Sequence, residues 1–82
     1  MVGAQMIELC QHPELLQQAE ALEHWADCRE RAVARLELNV KRLVDQKRAD
    51  QAARLRFAAH YLREAAVRDR LHAAELRRAA QP

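Results

Sequence analysis

Glycine occurs once in the 82 residues, at position 3, and proline only at 13 and 82. Sandwiches and barrels rely on such residues for their tight reversals, and this chain does not carry enough of them. Serine and threonine are absent, Asn39 is the one asparagine, and there is no glycine-rich phosphate loop. Without those hydroxyls the chain has few tools for acid–base or phosphate chemistry. A two-layer helical design also offers no pocket in which a cysteine could be held against a base, so the expectation is a non-enzyme without a cofactor. Two cysteines, Cys10 and Cys28, are too few for a disulfide framework. No apolar run reaches the 18 residues of a membrane span, and no basic stretch followed by a long apolar one marks a signal peptide. The expected setting is therefore the cytoplasm, with no membrane partner and both thiols free.

Half of the residues are apolar, yet only Trp25, Phe57 and Tyr61 are aromatic. The apolar content is mostly Ala, Leu and Val. Residues 14–81 lack Gly and Pro and are rich in Ala, Leu, Glu, Gln, Arg and Lys, the residues that lose least side-chain freedom in a helix. The fold class is all-α. His12-Pro13-Glu14 marks a helix start: proline's missing N–H costs nothing in a first turn, and Glu14 complements the dipole there. Residues 1–12 form a separate N-terminal segment in which 4–10 are a candidate short helix.

The phase of the heptads decides between one helix and two. In the first half an apolar seam runs Leu15, Ala19, Leu22, Ala26, Arg29, Val33, Leu36, Val40, Leu43, in alternating steps of four and three. In the second it runs Leu55, Ala59, Leu62, Ala66, Asp69, Ala73, Leu76, Ala80. The twelve residues from Leu43 to Leu55 are not a whole number of heptads, and VDQKRADQ between the seams is almost entirely polar. This predicts an antiparallel helical hairpin over 13–80 with its reversal near 45–50. Asp45 and Asp50 are candidate caps for it. The competing form is one long bent helix that absorbs the phase shift as a stutter.

Alanine at alternate seam positions lets two backbones approach closely, with larger side chains layered against it. Arg29 and Asp69 interrupt the two seams at matching levels, and two readings stand side by side: a register-fixing pair inside, or two side chains reaching out to the edges. The charge is divided as well. Residues 1–46 carry five basic and eight acidic groups, and residues 47–82 nine basic and four acidic ones. An antiparallel hairpin would set the C-terminal arginines beside Glu20, Glu23, Asp27 and Glu30.

Apolar residues off the seams decide the functional expectation. The second arm carries Phe57, Tyr61, Val67, Leu71 and Ala74, and the first Leu16, Trp25, Ala32, Leu38 and Val44. Two helices cannot bury two faces each, and a chain of this length struggles to enclose its own core. The leading expectation is a protein-interaction module, a small adaptor, regulator or chaperone. It would dimerise into a four-helix bundle and hold a partner protein through Trp25, Phe57, Tyr61, Val67 and Leu71. The alternative is a nucleic-acid-binding regulator using a basic tip of Lys41, Arg42, Lys47, Arg48, Arg54 and Arg56. A third reading is metal-responsive. His24 and Cys28 stand at i and i+4, and the reversal brings His72 to their level as a third ligand, although heptad phase puts His24 and Cys28 at outward positions and His72 beside the seam, so that the hairpin would have to rotate to join them.

Overall fold

The computed structural model describes residues 12–81, and they form two long helices lying side by side. The first, α1, spans Pro13–Asp45, and the second, α2, spans Ala49–Ala80. Among the described residues there is no strand. At 1.5 Å per residue each arm is about 50 Å long. The candidate helix at 4–10 lies outside the described residues.

Local chemistry sets the helix ends. Pro13 occupies the first turn of α1 with Glu14 beside it, and Arg42 is in its last turn. In α2 Asp50 is in the first turn, and Arg77 and Arg78 are in the last. Each charge complements the dipole of its end. Three residues, Gln46, Lys47 and Arg48, make the reversal. The Arg48 N–H donates to the Leu43 carbonyl at 2.8 Å and the Lys47 N–H to that of Val44 at 3.0 Å. This crossed pair is a Schellman closure, and it puts Lys47 in the left-handed region at φ 60°.

That closure corrects the expectation about caps. The residue preceding α2 is Arg48, neither helix start has a side-chain cap, Asp50 lies inside α2 and Asp45 ends α1. Backbone amides close the turn, and the capping position directly before α2 is filled by Arg48 rather than by an aspartate. The chain does reverse, and the single bent helix is not the form adopted.

Every residue of both seams is buried or half-buried. The buried positions of the seams recur every seventh residue, Ala19, Ala26, Val33 and Val40 on α1 and Ala52, Ala59, Ala66, Ala73 and Ala80 on α2, with Ala65 buried beside them. The leucines between them are half-buried and flank the contact. Taking the alanine and valine positions as a, the leucines are d. No large side chain among the described residues is fully buried. The contact between the arms is close but thin, built from small side chains.

Candidate functional site

Heptad position sorts the remaining side chains onto two edges and an outer face. At 100° per residue, the e and b positions lie on one side of the a/d seam, and g and c on the other. The e positions carry Glu23, Glu30 and Glu37 on α1 and Arg63, Arg70 and Arg77 on α2. They meet as a ladder in which each seven-residue step forward on α2 matches one back on α1. Arg77 holds Glu23 at two points, 2.6 and 2.8 Å. Arg70 bridges Glu30, with its Nε at 3.1 Å, and Asp27, at 2.6 Å. Arg63 bonds Glu37.

Hydrogen bonding to Arg77 holds the Glu23 carboxyl below its ordinary value. Bonding to Arg70 does the same to Asp27 and Glu30. The same bonds push the Arg70 and Arg77 guanidinium groups upward. Of the acidic partners expected for the C-terminal arginines, Glu23, Asp27 and Glu30 are engaged in ion pairs and Glu20 is not. Reading the e positions of both arms would have added Glu37 with Arg63.

At the seam itself Arg29 bonds Asp69, with side chains 35% and 15% exposed. The structure thus favours the internal pair over two side chains reaching out. The pair replaces one layer of leucines and satisfies two charges that would each be costly there alone.

Among the described residues the opposite edge has no such ladder. Its g positions are Gln18, Trp25, Ala32 and Asn39 on α1 and Ala58, Ala65, His72 and Ala79 on α2. Ala65 is buried, and Ala32 and Ala58 are half-buried, so they form the floor of a shallow trough. Its c positions include Arg35 and Arg42 on α1 and Arg54, Tyr61 and Arg68 on α2, all exposed. At the tip, Lys47, Arg48, Ala49, Asp50 and Gln51 line an open concavity of about 310 Å³.

The five expected partner-binding residues are all exposed, from 54% at Val67 to 76% at Phe57, but they do not share one face. Phe57, Val67 and Leu71 point outward from α2, Tyr61 stands where that face meets the arginine edge, and Trp25 is on α1. Leu38 and Val44 are exposed too, whereas Leu16, Ala32 and Ala74 are half-buried against the hairpin. The six tip cations are also divided: Arg42 and Arg54 lie on the trough edge, Lys41 and Arg56 on the ladder edge, and Lys47 and Arg48 at the turn.

The metal set does not assemble. Cys28 Sγ lies 3.7 Å from His24 Nε2 and receives an Arg31 N–H at 3.3 Å, while the His24 ring meets Trp25 edge-on at 6.1 Å. No group of three His, Cys, Asp or Glu side chains among the described residues could hold a metal ion. His72 falls on the g edge, whereas His24 is at an outer f position, so the helix phase keeps them apart. No helix among the described residues is long and apolar enough to cross a membrane.

No family model, curated protein or solved structure matches the chain.

Proposed function

We propose that this protein is a non-enzymatic interaction module whose hairpin pairs with a second copy and captures a partner protein through an apolar helical face. One observation carries the reading: the seam encloses only alanine and valine, while Trp25, Leu38, Phe57, Tyr61 and Leu71 stand outside it, 58–76% exposed. A chain that keeps its largest apolar side chains outside its own core has them for association.

The spacing on α2 supports a second copy as the occupant of the outer face. Phe57 and Leu71 are each seven residues from Glu64, and Tyr61 and Val67 each three. Two such faces laid antiparallel about Glu64 would set Phe57 of each copy against Leu71 of the other, and Tyr61 against Val67. This is the self-complementary arrangement that a two-fold axis requires. His60, 3.7 Å from Glu64, and Arg68, one turn further on, would moderate the repulsion where the two glutamates meet. The product is a four-helix bundle. Trp25 and Leu38 on α1 remain for the partner's helix, in the manner of a small regulator or chaperone of the cytoplasm.

Light scattering tests the reading. Two chains per particle are expected, and Phe57→Asp with Leu71→Asp should return single chains. A wild-type particle of one chain would refute self-association.

A further inference from the structure

The ladder takes up three arginines of one edge and leaves Lys41 and Arg56 there without an ion pair among the described residues, while the arginines of the other edge are all left over. Arg63, Arg70 and Arg77 all bond to carboxylates of α1. Among the described residues Arg35, Arg42, Arg54 and Arg68 form no ion pair, nor do Lys47 and Arg48 at the turn. Between residues 34 and 72 no acidic residue occupies a c or g position: Glu37 and Asp69 are spent on Arg63 and Arg29, and Asp45, Asp50 and Glu64 are at outer positions. The result is two rows of cations, spaced by multiples of seven residues at about 10 Å per step. They stand on either side of an alanine floor and are joined at the tip by Lys47 and Arg48. The side chains between the rows, Ala32, Asn39, Ala58 and Ala65, are small and carry no charge.

We infer that this edge binds the phosphate backbone of a single-stranded nucleic acid, which enters at the turn and runs along the trough. Five of the six cations are arginines, whose planar forks match phosphate oxygens at two points. A basic groove that tracks the backbone is how single strands are held without sequence readout. The site differs from a simple basic tip: it takes in Arg35 and Arg68 and leaves out Lys41 and Arg56, whose edge also carries the glutamates. It borders the outer face of α2 and shares Arg68 with the pairing proposed about Glu64, but Arg35, Arg42, Lys47, Arg48 and Arg54 lie outside that pairing, so their part in binding does not depend on self-association.

Fluorescence anisotropy of a labelled 20-nucleotide RNA strand, titrated with the full chain at low salt, tests this. Saturable binding is expected. Its affinity should fall with salt at a log–log slope approaching about −4 for six neutralised phosphates. Arg42→Glu with Arg54→Glu should weaken binding at least about tenfold. Lys41→Glu with Arg56→Glu, the same change in net charge on the other edge, should change it less than about threefold. Circular dichroism of each variant checks that the hairpin is retained; should the Arg42/Arg54 variant unfold, Arg42→Gln with Arg54→Gln takes its place under the same criterion. Absence of wild-type binding, equal losses in the two edge variants, or equal competition by polyglutamate would each overturn the inference, the last in favour of an acidic protein.

Discussion

Lys47 takes the position that glycine usually fills at a helix-ending closure, with φ at 60°. A side chain with a Cβ is disfavoured there, and glycine removes that penalty at some cost in unfolded-chain entropy. Lys47→Gly should therefore raise stability by up to about 1 kcal/mol in urea denaturation, and Lys47→Val should lower it by about 1 kcal/mol, since β-branching worsens the same clash. The other telling residues are Arg29 and Asp69. Asp69→Leu alone leaves a guanidinium facing leucines. It should cost about 1–2 kcal/mol, less than breaking a fully enclosed pair because Arg29 keeps some solvent. Adding Arg29→Leu completes the leucine layer and should restore or exceed wild-type stability in the same assay. If the double variant is less stable than Asp69→Leu alone, the pair does more than fix register.

At the level of the helices, the seams were legible because a phase break in a heptad pattern has few geometric solutions. Alanine and valine at every seventh place, with leucines between, mark the buried stripe of each arm. The three-residue turn was harder to read. Its closure is made by backbone amides of Lys47 and Arg48, and without a glycine nothing in the local residue types announces it. The edges were partly legible. Glutamates at 23, 30 and 37 and arginines at 63, 70 and 77 share one heptad position, which pairs them once the arms are antiparallel. Trp25 stands apart from the α2 residues because it is on the other arm at a g position, and His72 stands apart from His24 because their phases around the helices differ, as the outward heptad position of His24 already indicated. The ladder also carries a pH dependence. The carboxyls of Glu23, Asp27 and Glu30 titrate lower in the folded chain than their ordinary 4.5, 3.8 and 4.5. Their contribution is fully present above those values and is lost as the pH falls through the lower folded ones. Thermal unfolding followed by circular dichroism should show a lower midpoint at pH 3 than at pH 7. Salt at neutral pH should lower it in the same direction, since these pairs are exposed.

For the molecule as a whole, the argument is one of allocation. The interior contact uses small side chains and brings the backbones close. The large apolar side chains lie outside, and among the described residues three arginines are paired along one edge while the arginines of the other form no ion pair. A lone two-helix unit of this kind buries little apolar surface, so its helices should depend on association for much of their stability. Sedimentation equilibrium of the wild-type chain beside Phe57→Asp tests this most directly. The account predicts two chains per particle for the wild type. It also predicts a dissociation constant raised at least about thirtyfold in the variant, the roughly 2 kcal/mol typical of an interface anchor. A wild-type chain that stays single at tens of micromolar while remaining fully helical would contradict it.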